Sequence, residues 1–136
     1  DCHFLLHDLG FNIAQRSSLE ESFMKCGKNP ACTFGCQHGL AIGHITKNKG
    51  KLSKEEFKRF SIKYQINSNP SVHNFYHGFG HGFFSIYDNV SEALKMCNLL
   101  YSYTGDIRSA NLCAVGGAHE KFFIENAINF KNFSVP

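Results

Sequence analysis

The sequence predicts an all-α fold: an up-and-down α-hairpin array or bundle of about six to seven helices, stapled by disulfides. Three observations carry this expectation. Strand-type alternation is scarce while helix punctuation is frequent. Four histidines, His7, His44, His81 and His119, recur at intervals of 37, 37 and 38 residues, a period that fits stacked helical hairpins. Six cysteines fall within 136 residues without a C-x2-C pair, the pattern of a disulfide framework.

The elements follow in order. A first helix is expected over about 2–15, opening on a segment dense in Cys, His and Phe. Ser18 with Glu21 has capping-box spacing and starts a second helix over 18–26. After the Asn29-Pro30 turn a third runs over 31–46, and the Lys49-Gly50 turn ends it. Ser53 with Glu56 caps a fourth over 53–64, and Asn69-Pro70 precedes a fifth over 71–86. Asn89 with Glu92 caps a sixth over 90–103; Thr104-Gly105 turns the chain into a seventh over 108–127. Histidine- and glycine-rich helices thus alternate with ordinary amphipathic ones. The text repeats as well. Cys36-Gln37-His38-Gly39 is echoed by Phe75-Tyr76-His77-Gly78 and by Cys113-Ala114-Val115-Gly116, and Ser18 to Cys26 resembles Ser91 to Cys97.

The chain length fits one domain over residues 1–136. Fourteen Phe supply apolar bulk that excludes disorder, and a net charge of +3 on dispersed lysines excludes a nucleic-acid footprint. No apolar run approaches the about 20 residues of a membrane span. The cysteine density and an opening at Asp1 without Met give the expectation of a secreted or periplasmic product. Cys97 and Cys113 are equally far from the 104–107 turn and are expected to pair. The same counting favours Cys26 with Cys32, leaving Cys2 for Cys36; Cys26 with Cys36 and Cys2 with Cys32 stands open as the competing choice, because Cys32 and Cys36 share a helix face.

Gly35, Gly39 and Gly43 form a bare stripe at i, i+4, i+8, and Gly78 with Gly82 repeats it. Such stripes admit a second helix at close range, the favoured reading, or a flat ligand. The chemistry lies in the imidazoles. His3 with His7, and His77 with His81, each stand four residues apart, the spacing at which one helix offers two metal ligands on one face. With His38, His44, His119 and Glu120 they make a candidate ligand set for a transition metal ion, Cu, Fe or Zn, or for non-covalent haem held by axial histidines. A redox metal would bring redox activity, so whether the protein is an enzyme stays open. The sequence lacks C-x-x-C-H for covalent haem, lysines stand where a calcium loop from Ile45 to Glu56 needs oxygens, and Gly78-Phe79-Gly80 follows no strand as a phosphate loop would.

The hairpin period and cysteine-linked helices over residues 18–127 resemble disulfide-bridged Sel1 and tetratricopeptide-type repeat proteins, and the Cys-His and His-Gly-x-Gly-His text resembles secreted Cys/His-rich proteins of no assigned activity. The repeat resemblance implies a second function class: a disulfide-stabilised interaction or structural module without metal, binding a protein partner or a second copy of the chain.

Overall fold

The computed structural model describes residues 2–27, 31–67, 69–87 and 89–132, with side chains excepted at 31, 33 and 122–132. Among the described residues there are seven helices and no strand: α1 (Cys2–Arg16), α2 (Leu19–Cys26), α3 (Ala31–Lys47), α4 (Lys54–Lys63), α5 (Pro70–Ile86), α6 (Val90–Thr104) and α7 (Ile107–Asn132). The Asn29-Pro30 turn lies outside the described residues.

The caps explain where helices begin. Ser18 accepts from the Glu21 amide while the Glu21 carboxylate accepts from the Ser18 amide, a complete capping box for α2. Ser53 accepts from the Glu56 amide at α4, and Asn89 from the Ser91 and Glu92 amides at α6. Asn69 accepts from Ser71 with Pro70 at the first helical position, where its missing N–H costs nothing. Gly105, at φ 72° and ψ 4°, ends α6 in the left-handed conformation.

Glycine contacts fix how the odd-numbered helices lie. A Cβ on Gly35, Gly39 or Gly43 of α3 would meet the backbone of His3, His7 or Phe11 of α1, ascending together, so the two helices run parallel and nearly touch. Gly78 and Gly82 of α5 meet His38 and Ile42 of α3 in the same sense. Gly116 of α7 lies against the carbonyl oxygen of His77, as Gly39 lies against that of His7. Gly80 faces Cys113 and Gly117 as Gly10 faces Cys36 and Leu40. The α1–α3 crossing is therefore built a second time as the α5–α7 crossing. The stripes hold helices, and no face of them is left for a flat ligand.

α2, α4 and α6 return the chain between these parallel helices, and an aromatic core forms where they meet. Phe23, Phe57, Phe60, Phe75, Phe79 and Phe83 are buried there, with Phe23 edge-on to Phe60 at 5.1 Å and 88°. Each buried Phe contributes roughly 1.5–3 kcal/mol relative to exposure, so this cluster dominates the apolar stabilisation.

Three disulfides join Cys2 to Cys32, Cys26 to Cys36 and Cys97 to Cys113, with Cα–Cα distances of 5.5, 5.6 and 5.5 Å. The last is the expected pair. The favoured Cys26–Cys32 and Cys2–Cys36 bridges are corrected to the competing pairing. Burial sorts the sulfurs: Cys26 and Cys36 belong to the core, whereas Cys2 is exposed and Cys32 half-buried at its edge. Cys32 and Phe34 also have φ of 55° and 58°, so counting residues from the turn along a regular helix does not locate Cys32. Three intramolecular bridges fit an oxidising compartment. Among the described residues no helix is long and apolar enough to cross a membrane.

Candidate metal centre

The close crossings bring one side of α1, α3, α5 and α7 into line, and the imidazoles occupy it. His3 and His7 share a face of α1, with ring centroids 4.5 Å apart. His38 of α3 reaches both, at 5.3 and 5.4 Å. On its other side His38 meets His77 at 5.1 Å and His81 at 5.3 Å. His77 in turn lies 4.9 Å from His81 and 5.1 Å from His119 of α7. Six rings thus form one row across four helices.

Hydrogen bonds decide which nitrogens remain available. His3 donates from Nδ1 to the Cys32 carbonyl oxygen at 2.6 Å, leaving Nε2 as a lone pair. His7 Nε2 lies 3.0 Å from His3 Nε2, so in the metal-free chain it carries the proton that bridges them. Asn74 donates its Nδ2 to the Pro70 carbonyl, which turns its Oδ1 toward His38 Nε2 at 3.1 Å. His38 is therefore protonated on Nε2 and bare on Nδ1. That Nδ1 is buried and has no hydrogen-bond partner in a residue only 6 % exposed. A lone pair so placed is a costly arrangement without an ion or donor to meet it.

One nitrogen of each of His3, His7 and His38 lies within 4.8 Å of the others. Two imidazoles bound to one ion at about 2.0–2.1 Å hold their nitrogens about 2.9–3.4 Å apart, which the 3.0 Å His3–His7 spacing meets. The donor set, three imidazole nitrogens, suits zinc, copper, nickel or iron over calcium or magnesium. Burial favours the neutral form of His7 and His38. It pushes His7 down to about 4 and His38 down to about 3, with neighbouring imidazoles adding to the effect, and pushes His77 down to about 4. These rings keep their lone pairs at neutral pH.

At the far end His81 donates from Nδ1 to Glu120 at 2.8 Å, and the Ser85 hydroxyl is shared between the His81 carbonyl at 2.8 Å and the other Glu120 oxygen at 3.3 Å. The His81 bond holds the Glu120 carboxyl below its ordinary range against the opposing effect of burial. Beside His7 lies a cavity of about 140 Å³ lined by Asp8, Phe11, Gly39 and Ile42.

His44 is the one histidine of the expected set that stands away from the row. It follows His38 by six residues, about 240° further round the helix. It packs edge-on to Phe57 and Phe79, with Nε2 at 3.2 Å from a Glu56 oxygen. Burial holds His44 down to about 4 and raises Glu56, so the contact is between a neutral imidazole and the carboxyl, and Asn48 Nδ2 also reaches the same His44 Nε2 at 3.4 Å. His73, four residues before His77, is drawn instead to the Ile66 and Asn67 carbonyls at 2.8 and 3.1 Å.

The groups that orient the rings are ones sequence reasoning missed. Asn74 precedes His77 by three residues and His81 by seven, and Ser85 follows His81 by four, so helical spacing placed both on the histidine face. The Cys32 carbonyl carried no such signal. Comparison with protein-family models, curated proteins and solved structures finds no match to this chain.

Proposed function

We propose that this is an extracytoplasmic transition-metal protein that binds one ion through His3, His7 and His38. The observation that carries the proposal is the buried, unpartnered Nδ1 of His38, whose other nitrogen is committed to Asn74 and whose ring lies 5.3 and 5.4 Å from a pair of imidazoles already at ligand spacing. Imidazoles held by an acceptor on the opposite ring nitrogen are the usual arrangement around bound zinc or copper. An ion is favoured over haem because neighbouring helix backbone fills the glycine faces a flat macrocycle needs. Three protein ligands leave a position for water or a small molecule. With copper or iron that position supports redox chemistry, and with zinc it polarises bound water.

The test is elemental analysis of protein purified without chelator, followed by equilibrium dialysis of the stripped protein against Zn²⁺ and Cu²⁺ at neutral pH. Stoichiometric uptake that His7→Ala abolishes supports the proposal. Folded protein that takes up neither ion refutes it.

A metal-free interaction module is the second reading, favoured by Phe4 and Leu5, which are 65 % and 69 % exposed on the outer face of α1. It gains if chelation changes neither fold nor association state.

A further inference from the structure

The row of imidazoles does not end at His38, and its second half has the parts of another site. His77 stands in the α5–α7 crossing where His7 stands in the α1–α3 crossing, each giving its carbonyl oxygen to a glycine of the next odd helix. From there the next residues on the same side are His81 and, across the crossing, His119.

We propose that His77, His81 and His119 hold a second transition-metal ion beside the first, with Glu120 as the positioning residue that fixes His81. This rests on the first site being a metal site, since the two share a wall in His38.

Three observations support it. His81 gives its Nδ1 proton to Glu120, which leaves Nε2 as the ring nitrogen for an ion; Ser85 Oγ, which donates to the His81 carbonyl at 2.8 Å, also lies 3.3 Å from the other Glu120 oxygen. This repeats, with a carboxylate, what the Cys32 carbonyl does for His3. The His77 and His81 rings lie four residues apart on one helix and 4.9 Å from each other, close to the 4.5 Å of His3 and His7. His119 is solvent-exposed on α7 with its ring 5.1 Å from His77, so rotation about its side-chain bonds is open to it and closes the set. The nitrogens of this second set are less tightly gathered than those of His3, His7 and His38, the one group among the described residues within 4.8 Å. The second ion is therefore expected to bind more weakly, because ordering an exposed side chain opposes it.

The experiment uses the whole disulfide-bonded protein, stripped of metal and titrated with Zn²⁺ by calorimetry, with bound metal counted by elemental analysis. Two ions per chain are expected, the weaker one lost in His119→Ala and the tighter one lost in His3→Ala. Both substitutions fall outside the core, and circular dichroism checks the fold. Glu120→Gln is expected to weaken the second ion about ten- to hundredfold and to leave the first unchanged. In protein loaded with Cu²⁺, two ions at neighbouring sites give dipolar broadening in the electron paramagnetic resonance spectrum that His119→Ala removes. One ion per chain, with His119→Ala indistinguishable from the parent, overturns the second site and leaves the first standing. Two ions that persist in His119→Ala, or whose spectra show no interaction, overturn the assignment. No uptake at all refutes both sites together.

Discussion

His38 gives its Nε2 proton to Asn74 Oδ1 at 3.1 Å, and this bond between α3 and α5 leaves the buried Nδ1 as the bare nitrogen of the ring. The Asn74 amide cannot reverse without losing the Pro70 carbonyl that its Nδ2 meets at 2.9 Å. Asn74→Ala is expected to leave the fold intact and to weaken Zn²⁺ binding at the first site about ten- to hundredfold, since the His38 tautomer is no longer fixed. Competition titration against a chelator of known affinity measures it. An unchanged affinity would show that His38 is not a ligand.

Gly39→Ala and Gly82→Ala test the packing separately. At Gly39 a Cβ overlaps the His7 backbone carbonyl, which cannot move without separating α1 from α3. At Gly82 the nearest atom is the tip of the buried Ile45 side chain at 2.5 Å, a contact that a side-chain adjustment rather than a backbone shift relieves. Gly39→Ala is expected to destabilise by about 1–3 kcal/mol or more, with Gly82→Ala well below it. Urea denaturation of the two variants gives the comparison, and equal losses would contradict the close crossing.

The metal-free protein should lose stability in mild acid. Burial lowers His44 from 6.5 to about 4 in the folded state. Between those values the unfolded chain binds a proton that the folded chain refuses. The contribution is therefore fully present above pH 6.5 and is lost as pH falls toward about 4. Urea midpoints of chelator-treated protein should decline over that window. His44→Gln should flatten the decline, and a slope unaffected by this substitution would place the titrating groups elsewhere.

Removing the Cys2–Cys32 bridge as the double variant Cys2→Ser, Cys32→Ser should act on stability and site together. The bridge closes 30 residues, for which chain entropy gives about 3–4 kcal/mol. It also ties the start of α1 to the carbonyl that orients His3. First-ion affinity is expected to fall while the second ion, whose first ligand lies 45 residues beyond Cys32, is unaffected. Calorimetric titration of the variant shows whether the two respond independently.

Most of the helix boundaries were legible because local chemistry sets them. Ser18, Ser53 and Asn89 cap the helices their spacing announces, and Gly105 ends the sixth. The approach of His3 to His7 and of His77 to His81 was legible from four-residue spacing, whereas the gathering of both pairs around His38 follows from the glycine-lined helix crossings. Two further things were not legible. The pairing of Cys26 and Cys32 depends on which sulfurs the core buries and on the left-handed Cys32, which are tertiary facts. The separation of His44 was hidden because the 37-residue period marks position along the hairpins and carries no information about which side of α3 an imidazole occupies.

Every disulfide closes within one half of the duplicated crossing: two tie α1, α2 and α3, one ties α6 to α7, and none joins the halves. Oxidation can then follow synthesis. The first four cysteines admit three pairings, and all four have emerged before the chain reaches α5. Cys97 and Cys113 come later, with only each other left to find. Scrambling is thereby confined to the N-terminal third of the chain, and the seam between the halves, where His38 meets His77 and donates to Asn74, carries no covalent tie and can open without chemistry.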